Sequence, residues 1–264
     1  AAVKVNVDTL TGRGAAIVGP DPGRLASGLW GWGRLAETPE LLAAVATALG
    51  VHGDLAGHTI VVSAGGTQEA IDPVRVITNR SSGKMGYAIA EAARDRGASV
   101  VLVAAPTALD DPSGVDVRHV ESASDMHNAV LGACAGADAV IMAAAVADYT
   151  PADPAPQKLK KGQSDQLTID LVKTQDILNE TPRNLVRVGF AAESTNVIEH
   201  ARAKLDAKTL DFIVANDITL PDSGFGADTN KVTIIDAKGV DDLPLLPKYG
   251  VATKILDRVV ALLT

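Results

Sequence analysis

The side chains in this sequence best suited to chemistry are those that would hold an anion. Ser81-Ser82-Gly83-Lys84 stands where a helix opens behind an apolar strand and a polar loop, and the free N–H groups of such a helix start attract phosphate. Gly65 and Gly66 end that strand, where residues without bulk let a ligand approach the backbone. Lys158-Leu159-Lys160-Lys161 is a cationic cluster behind a stiff lead containing Pro151, Pro154 and Pro156. Lys204 and Lys208 lie one helical turn apart, so their charges repel slightly and an anionic partner would relieve them. Asp148 follows the small residues Ala144 to Ala147 and suits a ribose contact, a cation ligand or a turn cap. Thr174 is expected to cap another helix. The bland readings are a glycine turn needed only for packing, solvated lysines and a Thr that merely caps.

Spacing narrows the chemistry. There is no strict G-x-G-x-x-G, and Gly83-Lys84-Met85 lacks the Ser or Thr that ends a P-loop. The loop between strand and helix runs about twenty residues, against the usual roughly 2–6, and loops that long in compact domains are usually functional. His52, His58, His119, His127 and His200 show no metal-ligand spacing, and no G-x-S-x-G elbow is present. No Tyr has a Lys four residues on, and the strand ending Ala104-Ala105-Pro106 lacks the acid that holds an adenosine ribose. An NAD(P)-linked reductase is thereby disfavoured. A non-catalytic interaction module is the other alternative, with the lysines as surface charge.

These groups must be positioned by alternating strands and helices. Ile60-Val61-Val62, Ser99 to Ala104, Ala137 to Ala145, Leu167 to Val172, Leu185 to Phe190 and Asp211 to Asp217 read as strands. Helices are expected from Lys84, over Ser124 to Ala135, after Thr174, and from Asn196 with Val197, Ile198, Ala201 and Leu205 buried. Gly224-Phe225-Gly226 marks a turn. Lys231 to Asp236 with Leu243 to Leu246 reads as a β-hairpin, and a closing helix from about Val251 carries Ile255, Leu256, Val259 and Leu262. The pattern predicts an α/β fold: a doubly wound, mostly parallel, Rossmann-like sheet with a C-terminal β-hairpin and helix, whose ligand sits at the carboxyl ends of the strands.

Residues 1–50 differ, with a Gly-rich stretch around Trp30 and Trp32 and then a helix expected from a Thr38 cap to Leu49, stopped by Gly50. They read as the tail of another module or an arm. Residues 51–57 read as a linker and 58–264 as the main domain. The formal charge of −8 and the lack of a basic stripe argue against nucleic acid. The single cysteine, Cys134, rules out an internal disulfide framework. No apolar run reaches ~18 residues, and no signal peptide opens the chain, so a soluble, cytoplasmic protein away from the membrane is expected.

Taken in order, SAGGTQEAIDPVRVITNRSSGKMG, AAAVADY, KLKK, VKTQDIL, GFAAES and ARAKLDAKTLDFIVAND resemble phosphopantothenate–cysteine ligase over about residues 57–264. That resemblance implies attack of a 4′-phosphopantothenate carboxylate on the α-phosphate of CTP, followed by displacement of CMP by the amine of L-cysteine. It assigns Lys158 to formation of the acyl-cytidylate and Asn79 to its conversion to the amide, with Lys160 and Lys161 as rivals to Lys158. It places the nucleotide against Met142, Ala143, Ala144, Asp148, Lys158, Gln175, Asp176, Ile177, Leu178, Phe190, Lys204 and Lys208. Gly65, Gly66 and Arg75 become contacts for substrate or a neighbouring subunit. Mg²⁺ is implied, bridging the triphosphate with Asp148 as a candidate ligand, and so is a homodimer. Residue types alone leave CTP against ATP open.

Residues 1–50 resemble the carboxyl-terminal end of a flavin-dependent phosphopantothenoylcysteine decarboxylase, the partner half of a bifunctional coenzyme A biosynthesis protein. That family's catalytic cysteine matches Ser27 here, and a hydroxyl is a much poorer proton donor than a thiol. The flavin-binding core is missing upstream. No flavin and no decarboxylation are expected of this chain alone.

Overall fold

The computed structural model describes residues 2–160, 167–193, 195–217, 223–224 and 226–264. Lys161, Ser194 and Phe225 lie outside the described residues.

The N-terminal segment carries α1 (Ala2–Gly12), which buries nothing, and a ribbon of β1 (Asp21–Arg24) and β2 (Trp30–Arg34). Trp30 and Trp32 are 80% and 74% exposed, so the ribbon has no core of its own. Helix α2 (Thr38–Gly50) starts one residue earlier than expected: Thr38 is already helical. Glu37 holds the cap position without a side-chain cap bond and pairs with Arg34 at 2.7 Å instead.

The apolar run becomes β3 (Thr59–Ala64). The long loop after it is partly structured, because β4 (Gln68–Ala70) and β5 (Val76–Thr78) pair within it as an antiparallel ribbon. Helix α3 (Lys84–Asp95) follows; Gly83, with φ of +76°, takes the cap position that a Ser was expected to fill. Next come β6 (Ser99–Ala104), β7 (Asp116–His119), α4 (Ala123–Cys134) and β8 (Ala139–Met142). Ser122 and Asp125 close a capping box that starts α4 one residue before the expected Ser124. The segment 50–57 packs against the end of α3. Leu55 is fully buried, and a Cβ on Gly50 would lie 2.1 Å from the Asp95 carbonyl oxygen.

The expected strand at Leu167 to Val172 is shorter and lies outside the main sheet. Its end, β10 (Leu171–Lys173), pairs antiparallel with β9 (Tyr149–Pro151). Helix α5 (Ile177–Glu180) is a single turn capped by Asp176, not Thr174. Then follow β11 (Val186–Glu193), α6 (Val197–Lys208) and β12 (Phe212–Asp217). Ile198 is exposed on α6, against expectation; Ala201 and Leu205 are buried. The chain ends with β13 (Thr229–Asn230), β14 (Val232–Asp236), β15 (Gly239–Asp242), β16 (Leu246–Pro247) and α7 (Lys248–Leu263). The hairpin partner of β14 is the polar β15, because Asp236 accepts the Lys238 and Gly239 amides and turns the chain early. Leu243 instead enters the core, while Leu262 is exposed on α7.

Eight strands form the central sheet in the order β15-β14-β12-β11-β8-β3-β6-β7. The six from β12 to β7 are parallel, and β14 and β15 add the antiparallel edge. This is the doubly wound, mostly parallel fold. Alternation along each strand feeds two cores. Ile60, Val62, Ile141 and Phe212 meet α3 and α7 on one face. Val61, Val103, Val140 and Ile213 meet α4 and α6 on the other. Each such fully buried side chain contributes roughly 1.5–3 kcal/mol. Among the described residues, no helix is long and apolar enough to cross a membrane.

Candidate functional site

Chain order reverses between β3 and β8, since the connections from β3 run one way to β6 and β7 and those from β8 run the other way to β11 and β12. A cavity of about 840 Å³ opens there, over the carboxyl ends of the strands. Its floor is the stretch Ala143 to Asp148, which leaves β8 and is stitched down on several sides. Ser63 Oγ accepts the Ala144 N–H at 3.1 Å, and Gly65 O accepts the Ala145 N–H at 2.8 Å. Thr67 Oγ1 accepts the Ala147 N–H at 2.9 Å. Thr174 Oγ1 donates to Ala147 O at 2.6 Å, while α5 begins only at Ile177, too far along for Thr174 to hold its cap position. Asn79 Nδ2 donates to Val146 O at 3.1 Å, so its amide leans over the same floor.

The walls carry charge. Arg80, Lys84, Lys173, Lys204, Lys208 and Lys248 line the cavity against Asp148, Asp176 and Glu193. An excess of cations in a chain of net charge −8 marks an anion-accepting site. Lys204 and Lys208 do not face a common partner. Lys204 Nζ donates to Phe190 O at 2.8 Å, whereas Lys208 pairs with Asp176. Burial pushes the Lys204 ammonium below the usual lysine range, with Asp148 and Glu193 pulling the other way. Beneath them the fully buried Arg187 donates to Lys208 O at 3.0 Å, to Thr209 O at 2.8 Å and to Leu178 O. One guanidinium thus fixes the end of α6 against α5.

The far wall is a loop held over the start of α3. Lys84 Nζ reaches Asp228 at 2.6 Å and Gly226 O at 3.0 Å. Lys248 Nζ donates to Gly224 O at 3.0 Å and to Ala227 O. Asn216 and Asn230, both largely buried, complete this side. Lys248, Asn216 and Asn230 escaped sequence reasoning because their neighbours in the chain carry no local pattern; only the topology brings them here.

Of the residues expected at the site, Asn79, Met142, Ala143, Ala144, Asp148, Gln175, Asp176, Ile177, Leu178, Phe190, Lys204 and Lys208 all line this one cavity. Lys158, Gly65, Gly66 and Arg75 do not. Lys158 and Lys160 are exposed. Gly65 has φ of +83°, and a Cβ there would lie 2.6 Å from Ala105 O; at Gly66 it would lie 2.7 Å from Asn79 O. These two glycines bring protein backbones together. Arg75 bonds Asp72 and Leu159 O. Among the described residues, no cluster of three or more His, Cys, Asp or Glu is placed to hold a metal ion.

A cation-lined cavity at the switch point of a mostly parallel sheet marks the chain as a doubly wound α/β protein. Residues 55–263 match the DNA/pantothenate metabolism flavoprotein C-terminal domain, and the chain belongs to that family. It is 45% identical over 269 residues to the coenzyme A biosynthesis bifunctional protein CoaBC of Bacillus subtilis, covering 99% of this chain and 66% of that protein. The protein of the same name from Mycobacterium tuberculosis is 42% identical over 277 residues, covering 98% of this chain and 66% of its own length. The chain thus spans slightly less than two thirds of the curated relatives it matches.

A crystal structure of the C-terminal domain of CoaBC superposes with a TM-score of 0.68 at 44% identity, covering 80% of this chain and 98% of that one. The DNA/pantothenate metabolism flavoprotein from Streptococcus pneumoniae gives 0.67 at 25% identity, covering 78% and 100%.

Proposed function

We propose that this chain joins 4′-phosphopantothenate to L-cysteine at the expense of CTP, a ligase step of coenzyme A biosynthesis. The observation that carries this reading is the convergence of twelve motif residues, from Asn79 to Lys208, on one cation-lined cavity. In the first step a carboxylate oxygen of the pantothenate attacks the α-phosphorus of CTP and pyrophosphate departs. Lys204 and Lys208, which line the cavity, offset the charge that gathers on the phosphates, and Lys158, which lies outside its lining, is assigned to the same step by the motif match alone. In the second step the cysteine amine attacks the acyl carbon and CMP departs, with Asn79 holding the acyl-cytidylate. The backbone of Met142 to Ala144 and the side chains of Ile177, Leu178 and Phe190 receive base and ribose.

Asp148 is the carboxylate on the cavity floor, and a hard oxygen donor of this kind suits Mg²⁺ shared with the triphosphate. Such an ion, when bound, would supply charge neutralisation to the departing pyrophosphate. The apolar side chains of Val74, Val76, Leu171 and Val172 stand exposed on the two ribbons, and a second copy of the chain is the cover we assign to them. A decarboxylase half preceding this chain in the full-length protein, and a cytoplasmic setting, belong to the same reading.

The test is mass-spectrometric detection of 4′-phosphopantothenoylcysteine from phosphopantothenate, cysteine and Mg²⁺, with CTP or ATP supplied in turn. Product with CTP, lost in Lys158→Gln, is expected. Absence of product with both nucleotides overturns the reading.

A further inference from the structure

The turn Asp72-Pro73-Val74-Arg75 joins β4 to β5 and does more than reverse the chain. Asp72 Oδ1 accepts the backbone N–H groups of Val74 at 2.8 Å and Arg75 at 2.9 Å, which is all that closing such a turn requires. Its second oxygen, Oδ2, accepts Arg75 Nε at 2.9 Å and Nη2 at 2.5 Å. The same Oδ2 accepts the backbone N–H of Leu159 at 3.1 Å, and Arg75 Nη2 donates to Leu159 O at 2.7 Å. Both backbone polar groups of Leu159 are therefore held by a turn far upstream in sequence. A second tether, from Ala155 N–H to Ile71 O at 2.9 Å, fixes the proline lead just before it.

Leu159 sits between Lys158 and Lys160, whose side chains are exposed while the carboxylate beneath them is fully buried. A lysine on a flexible four-carbon stem delivers its charge to a reacting phosphate only if its base is held. We propose that Asp72 is a positioning residue for the nucleotide-activating step: with Arg75 it latches Leu159 and so fixes the stretch that carries Lys158. This rests on the ligase reading above. It also gives Arg75 work within its own chain. Burial tends to raise the pKa of the Asp72 carboxyl, but the Val74, Leu159 and Arg75 bonds outweigh it and hold the group well below the usual carboxylate range, so the latch is charged at neutral pH.

The test uses Asp72→Asn in the full chain, whose amide still turns the hairpin but is a weak acceptor for Leu159 and Arg75. Pyrophosphate release from CTP and phosphopantothenate reports the first step; amide formation from prepared acyl-cytidylate and cysteine reports the second. The first is expected to fall about 10- to 100-fold, with the second within about twofold of the parent. Trypsin should also cut the Lys158–Leu159 bond faster in the variant, a readout independent of catalysis.

Leu159→Pro, which deletes only the Leu159 N–H among the donors to Asp72 and leaves the carboxylate's bonds to Val74 and Arg75 intact, serves if Asp72→Asn fails to fold. It should show the same selective loss. Equal loss in both steps, or an unchanged first step, overturns the latch while leaving the ligase standing. A parent chain that releases no pyrophosphate removes both proposals.

Discussion

Thr67 Oγ1 accepts the backbone N–H of Ala147 at 2.9 Å, so a residue in the loop just past β3 holds the cavity floor, and the chain returns to that same residue at Thr78. Thr67 is fully buried, and its carbonyl accepts the Thr78 hydroxyl at 2.8 Å. The floor and the end of β5, just before Asn79, thus meet at one residue, the first through its side chain and the second through its carbonyl. Thr67→Val keeps the shape and removes the acceptor, stranding a buried N–H. A loss of about 1–3 kcal/mol is expected in urea unfolding, together with a raised KM for CTP. Thr67→Ser should retain most of both.

Lys204 supplies a pH dependence. Burial lowers its pKa, so as pH rises it sheds its proton before an exposed lysine does, and an anion then loses its partner. CTP affinity measured by calorimetry should fall with increasing pH on the alkaline side of neutrality, starting below the ordinary lysine range. Binding should be coupled to proton uptake there. Lys204→Met should weaken CTP by about 2 kcal/mol and flatten that alkaline decline.

Arg187 is a stability prediction with a local consequence. Its guanidinium also meets Thr181 Oγ1 at 3.0 Å; its loss would remove a donor from Thr209 O and one of two donors from each of Leu178 O and Lys208 O, which keep the Thr181 hydroxyl and Arg183. Arg187→Met should cost about 1–3 kcal/mol in chemical denaturation. In protein that remains folded at low temperature, amide exchange should rise first at the junction of α5 and α6, where Leu178 O and Lys208 O lose their common donor.

Much of the fold was legible because the buried parallel strands are continuous apolar runs: Ser99 to Ala104 has the predicted bounds. Edge and ribbon strands were not. Asp116–His119 is polar and becomes a strand only by pairing with β6. Leu243 to Leu246 looks like the second strand of a hairpin, yet Asp236 turns the chain sooner and leaves Leu243 to the core. The cap expected at Thr174 falls to Asp176 because the helix starts two residues later than its sequence suggests, and the Thr174 hydroxyl instead binds Ala147 O.

The site was partly legible. Local spacing pointed to an anion near α3 and to the helical lysines, but not to their separate partners, Phe190 O and Asp176. Arg75 was expected to meet substrate or a neighbouring subunit, and nothing in the sequence foretold that it and Asp72 would hold Leu159. Lys248 and Asn216 reach the cavity through topology alone, which no window of sequence contains.

The most direct measurement of the central claim is a single-turnover experiment following pyrophosphate and CMP separately, with enzyme in excess over CTP and phosphopantothenate present throughout. The account predicts pyrophosphate without cysteine, CMP retained as acyl-cytidylate, and CMP released together with amide when cysteine is added. Release of CMP and pyrophosphate together only on adding cysteine, or no release at all, would contradict it.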